Sequence, residues 1–244
     1  MLDSVLERFG YYHRPRLISE FIAFRETHEA AKAAGLSVGD YIDRNYVHHA
    51  GRSPTEQTID GMVALGVFDF PLHAICEIGP GSGRYLQRTL ALGHPTHFEI
   101  YETATEWRDW LVQQYQVTAK RCDGKTLVET DSESIDLVQC HKVFPAIPFL
   151  VTASYFAEMA RVVRPGGWVV FDILTEHCFT SHYLKKWFES GVWTWDWSPF
   201  LVNCEFALSF FAERDIRLVG NFLVPLYPGV TECLVFRKTL LRTV

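Results

Sequence analysis

The chain has 244 residues, a formal net charge of −6 at pH 7 and a sequence pI near 5.9. This acidic balance argues against a protein that binds nucleic acid through bulk positive charge. Hydrophobic residues make up 48% of the chain and charged residues 21%, which is typical of globular proteins and unlike disordered ones. The chain is therefore able to bury the core of one large domain, or of one domain with an appendage.

Membrane and disulfide signals are absent from the sequence. No segment approaches the roughly 18 consecutive apolar residues that span a bilayer, and acidic residues stand where a signal peptide carries basic ones. Six cysteines are scattered along the chain without a CxxC pair, which predicts free thiols rather than a disulfide framework or a zinc cluster. We therefore expect a soluble, cytoplasmic protein with no membrane partner.

The first 70 residues show helical patterns and no convincing strand. Apolar residues recur at helical spacing from Leu17 to Phe24, an alanine-rich stretch follows, and Gly35 is placed to end the helix. Ser53 begins a capping box of the form Ser-Pro-Thr-Glu, which predicts a helix to about Leu65. We interpret residues 1–70 as a helical N-terminal cap.

After residue 70, short apolar runs alternate with helical segments, as in a parallel sheet covered on both faces. The predicted helices span 84–92, 104–115, 149–163 and 203–213. The predicted strands span 73–78, 96–101, 117–121, 135–140, 167–173, 217–224 and 231–237. A turn-rich segment between the last two strands predicts an antiparallel hairpin. The predicted fold is α/β: a seven-stranded, mostly parallel sheet with the last strand antiparallel, formed by residues 71–244, which include a Trp-rich insertion at about 177–200.

The strongest signal is a glycine-rich turn between the first predicted strand and the first helix of this core. Gly79, Gly81 and Gly83 stand in a G-x-G-x-G spacing, with Pro80 and Ser82 between them. Glycines let the backbone pass close to a ligand, and the helix that follows offers unpaired N–H groups. The turn therefore predicts a ligand site.

Two neighbours of this turn bear on the kind of ligand. Arg84 occupies the last glycine position of the dinucleotide fingerprint, which weakens a nicotinamide or flavin interpretation. Glu77 lies two residues before the first glycine, where its carboxylate would repel a pyrophosphate but hold an ammonium group. An NAD-dependent oxidoreductase on a similar sheet is therefore the weaker alternative.

Two further acids follow the next predicted strands. Glu102 ends the second strand, about 20 residues after the glycine turn, where a carboxylate can accept both ribose hydroxyls. Asp123 precedes Gly124 after the third strand, where it can accept from an adenine amino group. Because the carboxyl ends of parallel strands meet at one edge, we expect Glu77, Glu102 and Asp123 to converge there.

Together these motifs resemble class I methyltransferases that use S-adenosylmethionine. The resemblance rests on the segment from Glu77 to Gly83, on Glu102, on the Asp123 loop and on the turn at 164–167, and it covers residues 73 to about 175. It implies a Rossmann-like fold, with the glycine loop at the methionine part, the first acid at its ammonium, the second at the ribose and the third at adenine. The residues that the resemblance assigns to the cofactor are Glu77, Gly79, Pro80, Gly81, Ser82, Gly83, Glu102, Asp123, Gly124 and Cys140.

The candidate catalytic residue is His141, just past the predicted fourth strand. Imidazole titrates near neutral pH, so His141 is suited to remove a proton from a hydroxyl acceptor, although it has an alternative role in packing or in hydrogen bonding to the cofactor. The motifs of methyltransferases acting on DNA bases are missing around Cys140, so we expect no nucleic-acid substrate. The metal-dependent catechol branch needs acids after strands four and five, and only Asp172 is near such a position, so we expect no metal.

Residues outside the common core are candidates for binding the acceptor. Aromatic and basic side chains in the cap suit stacking and charge recognition, and tryptophans in the insertion suit sugar or aromatic faces. A surface helix start and a packed lid explain these side chains equally well. The candidates are Tyr11, Tyr12, Arg14, Trp193 and Trp195. The pair His48 and His49 lacks neighbouring ligands, and we interpret it as part of a surface loop.

The sequence thus predicts a methyltransferase that moves the methyl group of S-adenosylmethionine to a small-molecule acceptor. We favour a hydroxyl of a sugar or natural product, because of His141 and because an amine-type motif is missing. N-methylation of a small amine and a non-catalytic cofactor-binding module of the same fold are the alternatives. The sequence does not indicate which oligomeric state the protein adopts.

Overall fold

The structure, a computed structural model, describes residues 22–45, 52–190, 201–226 and 229–240. The helices are α1 Phe24–Ala33, α2 Val38–Asn45, α3 Pro54–Ala64, α4 Arg84–Gly93, α5 Thr105–Tyr115, α6 Phe149–Val162, α7 Ser181–Ser190 and α8 Cys204–Ala212. The strands are β1 Ala74–Ile78, β2 His97–Tyr101, β3 Thr118–Ala119, β4 Ile135–Cys140, β5 Val163–Ile173, β6 Ile216–Leu226 and β7 Gly229–Lys238. Short 3₁₀ turns span Phe144–Ala146 and Glu176–Cys178. None of the helices in these ranges is long and apolar enough to cross a membrane.

The strands form one seven-stranded sheet in the order β3-β2-β1-β4-β5-β7-β6. Neighbours from β3 to β5 pair in parallel, whereas β7 is antiparallel to both β5 and β6. The chain reverses its direction of progress across the sheet between β1 and β4, and open α/β sheets bind ligands at that point of their carboxyl edge. The predicted α/β class, the seven strands and the reversed last strand are confirmed.

Apolar clusters cover both faces of the sheet. One is rich in buried phenylalanines, of which Phe156 and Phe171 have ring centroids 4.7 Å apart. The other joins Ile59 and Met62 of α3 to Leu86 of α4 and to the sheet. The Phe222 ring of β6 packs so closely on Gly61 of α3 that a side chain there would clash with it. Helix α3 is therefore an integral part of the sheet's core.

The N-terminal helices differ in extent from the prediction. The sequence pattern predicted a helix that starts near Leu17. Helix α1 begins at Phe24, so the prediction was wrong for Ile22 and Ala23, and Leu17 lies outside the described residues. Ala23 is extended, and Gly35 has φ +67°, which suits its predicted place just after the helix. Helix α2 was not predicted, although Val38, Tyr41 and Ile42 stand at helical spacing, because three apolar residues within eight give only a short pattern.

The predicted capping box is confirmed. The Ser53 hydroxyl accepts from the Glu56 N–H at 3.0 Å, and the Glu56 carboxylate accepts from the Ser53 N–H at 2.8 Å. These two bonds satisfy backbone donors that the first turn of α3 would otherwise leave unpaired.

Two strands also differ from the prediction. Strand β3 was predicted over 117–121 and contains only Thr118 and Ala119, which pair with β2. Strand β5 was predicted from residue 167 and begins at Val163, directly after α6. The segment from Arg164 to Gly167 is therefore an irregular start of the strand, where the pairing with β4 shifts register and Gly166 has φ +79°.

Candidate active site

The glycine loop connects β1 to α4 with all three glycines in the left-handed region, at φ +63°, +50° and +70°. A Cβ on Gly79 would lie 2.5 Å from a Val143 methyl carbon, and one on Gly83 would lie 2.5 Å from a Leu111 methyl carbon. By contrast, a Cβ on Gly81 would meet no atom within 4 Å. The outer two glycines are thus required by packing, while Gly81 presents backbone to open space.

Glu102 holds this loop from the end of β2. Its carboxylate accepts from the Gly81 N–H at 2.8 Å and from the Ala104 N–H at 2.8 Å. Burial raises the pKa of Glu102, and these backbone donors oppose that rise. The expected meeting of Glu102 with the glycine loop is therefore seen in the structure.

Glu77 is buried at the end of β1, with 1% of its surface exposed. Its carboxyl accepts a hydrogen bond of 2.8 Å from Gln139 of β4, and Gln139 also contacts the Thr89 hydroxyl at 3.1 Å. Burial raises the pKa of Glu77 to about 8 against the effect of the Gln139 bond, and the Glu102 charge adds to the rise. A cationic group would therefore be a favourable partner for this carboxyl.

His141 follows β4 and lies against Tyr85 from the first turn of α4, with ring centroids 4.5 Å apart. The two side chains are 4% and 3% exposed. Both His141 ring nitrogens and the Tyr85 hydroxyl lack a hydrogen-bond partner within the described parts of the chain. Buried polar atoms are rarely left in this condition, so three of them together point to a ligand that supplies the partners.

A buried ion pair lies next to His141. Lys142 donates its backbone N–H to Asp172 at 2.6 Å, its ammonium lies 2.9 Å from the same carboxylate, and the ammonium also donates to the Thr231 hydroxyl. Burial would raise the pKa of Asp172, but Lys142 and His141 hold it below its usual value. Burial lowers the pKa of His141 to about 4, although the Asp172 charge opposes this. At neutral pH the site therefore contains a neutral imidazole beside an ionised carboxylate.

The Asp123 loop also reaches this edge, but its carboxylate is engaged locally. It accepts from the backbone of Lys125 and Thr126 and from the Thr126 hydroxyl at 2.7 to 2.9 Å. Partial burial raises the pKa of Asp123, but the effect of these hydrogen bonds is larger, so the pKa lies below its usual value. Gly124, at φ +80°, faces a methyl carbon of Thr103, the neighbour of Glu102.

The remaining candidates divide by location. Pro80 and Ser82 are buried within the glycine loop, and the Cys140 side chain lies wholly in the phenylalanine-rich core. Burial raises the pKa of Cys140 well above its usual value, so its thiol is unreactive. The predicted residues that lie outside the described parts of the chain are Tyr11, Tyr12, Arg14, His48, His49, Trp193 and Trp195.

Sequence reasoning missed three side chains of this site. Tyr85 could have been predicted from the sequence, because it lies in the first helical turn after the glycines and is therefore close to any ligand that binds there. Gln139 and Lys142 flank His141 in sequence, but only the fold shows that one contacts Glu77 and the other Asp172.

The comparison with protein families agrees with this geometry. Residues 76–171 match a family described as a methyltransferase domain, and they extend from β1 into β5. No curated protein is significantly similar to the chain in sequence.

Solved structures share the fold at low sequence identity. The chain resembles magnesium protoporphyrin IX methyltransferase from Synechocystis PCC 6803, solved with bound S-adenosylhomocysteine, at 11% identity and a TM-score of 0.57 over 98% of each chain. It resembles an O-methyltransferase family protein from Burkholderia thailandensis at 12% identity and a TM-score of 0.60, over 99% of this chain and 71% of that one. It also resembles the N-methyltransferase NodS from Bradyrhizobium japonicum WM9 at 13% identity and a TM-score of 0.53, over 76% and 88%.

The resemblance to class I methyltransferases is thus confirmed. Residues 76–171 match the model of a methyltransferase domain, and the chain shares its fold with methyltransferases of known structure.

Proposed function

We propose that the protein methylates a hydroxyl group of a small molecule, such as a sugar or a natural product, with His141 as the base. The observation that carries this proposal is the buried, neutral imidazole of His141, whose nitrogens lack partners beside the glycine loop. A nitrogen in this state accepts a hydrogen bond from a hydroxyl.

The residues of the sheet edge fit the cofactor. The buried Glu77 carboxyl matches an ammonium group, and the open face of Gly81 admits a ligand along the backbone. The Glu102 carboxylate is held beside the glycine loop by the Gly81 and Ala104 N–H groups, where ribose hydroxyls would lie. Asp123 stands one loop further along the edge, where adenine would lie. When bound, S-adenosylmethionine supplies a methyl group on a positively charged sulfur.

His141 receives the proton of the acceptor in this mechanism. The acceptor hydroxyl donates to a ring nitrogen of His141, and its proton moves to that nitrogen as the oxygen is methylated. Asp172 stabilises the imidazolium that forms, because its carboxylate is held ionised by Lys142. Tyr85 packs on the imidazole and keeps the ring in place. One positive charge is present before transfer, on the cofactor sulfur, and one after it, on the imidazolium, so the charge balances.

A small acceptor is supported by the enclosure of the site. His141, Tyr85 and Glu77 are all nearly inaccessible to solvent, so a reacting group must enter a narrow space. Small-molecule methyltransferases are also among the structural neighbours, including the one that acts on magnesium protoporphyrin IX.

Calorimetric titration followed by an acceptor screen tests the proposal. We expect micromolar binding of S-adenosylmethionine and S-adenosylhomocysteine, with NAD as a silent control. A panel of hydroxyl and amine acceptors is then incubated with the protein, and products are identified by the mass of one added methyl group. Methylation of amines alone would contradict hydroxyl transfer, and binding without turnover of any acceptor would favour a cofactor-binding module.

The second candidate function is N-methylation of a small amine. It is favoured by the low pKa of His141, because a neutral amine attacks without first losing a proton to a base. The likeness to NodS, an N-methyltransferase, supports the same candidate. The position of the added methyl group in the product distinguishes the two.

A further inference from the structure

Three side chains of metal-ligating type meet beyond the end of β5, apart from the residues assigned above. His177 comes from the 3₁₀ turn after β5, Cys204 from the start of α8 and Glu232 from β7. Their ligand atoms all lie within 4.8 Å of one another. His177 Nδ1 lies 2.9 Å from a Glu232 carboxylate oxygen.

The fold fixes these three positions independently of any ligand. Glu232 is buried opposite Ile173 in the sheet, and its carboxylate accepts from the Thr175 hydroxyl and the Asn221 amide. Cys204 donates its backbone N–H to Glu176 at 3.0 Å, at the first residue of α8. Hydrogen bonds of this kind orient metal ligands and are an ordinary part of metal sites.

The donor set matches the chemistry of zinc. Thiolate, imidazole and carboxylate are its usual ligands, at bond lengths of about 2.0 to 2.3 Å. Tetrahedral ligation at those lengths separates ligand atoms by roughly 3.3 to 3.7 Å, within the span already observed. The His177 side chain is 55% exposed, so small rotations are open to it.

The local charge also favours a cation. The Glu232 carboxylate belongs to the cluster, and the Glu176 carboxylate accepts the Cys204 backbone N–H at 3.0 Å. A divalent ion would neutralise part of this negative charge.

We propose that His177, Cys204 and Glu232 bind one zinc ion, with a fourth coordination position left for water or another ligand. The sequence did not predict this site, because the three residues are far apart in the chain and match no ligand spacing. The ion would tie the end of β5 to β7 and to the start of α8. It would therefore anchor the beginning of the insertion at about 177–200, to which the sequence analysis assigns acceptor specificity.

Metal titration of the full chain tests the proposal. The protein is prepared without a histidine tag, stripped with a chelator and titrated with Zn²⁺ in a calorimeter. We expect one ion bound per chain. Replacement with Co²⁺ should give a thiolate-to-cobalt charge-transfer band. A wild-type chain that binds no stoichiometric zinc would overturn the site.

Matched variants identify the ligands. His177→Asn and Cys204→Ser should each weaken zinc binding at least about 100-fold, and Cys204→Ser should abolish the cobalt band. Cys178→Ser is the control, because its sulfur contacts Thr175 at 3.6 Å but is outside the ligand set. Zinc binding that survives both ligand variants, or that Cys178→Ser abolishes, would refute the assignment. His177 is exposed, so His177→Asn decides the matter if Cys204→Ser does not fold.

Discussion

At the scale of single residues, the unusual protonation of Glu77 makes a measurable prediction. With a pKa of about 8 in the free protein, Glu77 is mostly protonated at pH 7. An ammonium group bound beside it stabilises the carboxylate, so binding of S-adenosylhomocysteine at pH 7 should release close to one proton. Calorimetry in buffers of different ionisation enthalpy measures this number.

Glu77→Gln is the control for that experiment, since glutamine has a similar shape but no charge. The variant should release no proton on binding and should bind more weakly. Its stability provides a second readout. The pKa of Glu77 is higher in the folded than in the unfolded chain, so the carboxyl destabilises the fold increasingly as pH rises from about 4.5 to 8. The variant should gain stability relative to the wild type over that range, and equal proton release by both proteins would contradict the ammonium site.

The proposed base gives a second prediction. His141→Gln should lower kcat by about 10²- to 10⁴-fold, the range for loss of general acid–base catalysis. The dissociation constant of S-adenosylmethionine should change by less than about threefold, since the base acts on the acceptor. Single-turnover kinetics and equilibrium binding measure the two quantities. An unchanged rate would remove His141 from catalysis, and His182→Gln, an exposed change on α7, serves as the control.

At the scale of elements, different glycines of the loop serve packing and ligand access. Gly79 and Gly83 are packed against neighbouring side chains, whereas Gly81 faces open space. Gly81→Ala places a methyl group in open space at φ +50°, and should cost about 1 kcal/mol of unfolding free energy. Gly79→Ala adds a clash with Val143 to a similar backbone strain, for a total of about 2 to 4 kcal/mol. Denaturant unfolding compares the two. Cofactor titration should show the larger relative loss of affinity for Gly81→Ala, because its methyl group would enter the open space that the cofactor is proposed to occupy.

A double variant isolates the clash. Val143→Ala removes the methyl carbon that a Cβ on Gly79 would meet, so it should recover part of the stability lost in Gly79→Ala. Strictly additive losses in the double variant would mean that backbone strain alone explains the effect.

The same loop shows how far sequence alone reaches. Three glycines after a strand predicted the loop, and acids at the strand ends predicted Glu77 and Glu102 beside it. The partners of those acids were beyond prediction, because Gln139 contacts Glu77 only through the parallel pairing of β1 with β4. Helix α2 was missed because its apolar pattern, Val38, Tyr41 and Ile42, is too short to stand out. The start of β5 was misplaced because a proline and two glycines are usually read as a turn.

At the scale of the whole molecule, the buried His141 ring should add to the pH dependence of stability, in the opposite direction to Glu77. The pKa of His141 is about 4 in the folded chain and near 6.5 when unfolded, so protonation favours unfolding between these values. Stability should fall by up to about 1.4 kcal/mol per pH unit from this group as pH drops from 6.5 to 4. His141→Gln should unfold with a shallower dependence on pH over that interval, in denaturant titrations. Parallel curves for the two proteins would mean that His141 is solvated.

The helices before β1 pack on different parts of the core. Ile59 and Met62 of α3 are within the sheet's apolar cluster, whereas α1 and α2 pack with Trp107 of α5. The Trp107 indole donates to the Ile22 carbonyl at 2.7 Å. The sequence predicted helices here, but the surface on which each helix packs depends on long-range contacts that local periodicity does not encode.

The bond between Glu102 and the Gly81 N–H has a consequence for the affinity of recognition. A loop already fixed by a buried carboxylate spends little conformational entropy when a ligand arrives. A cofactor that binds at this loop, as proposed above, would therefore pay little of the entropic cost of ordering it, which leaves more of the binding energy for affinity.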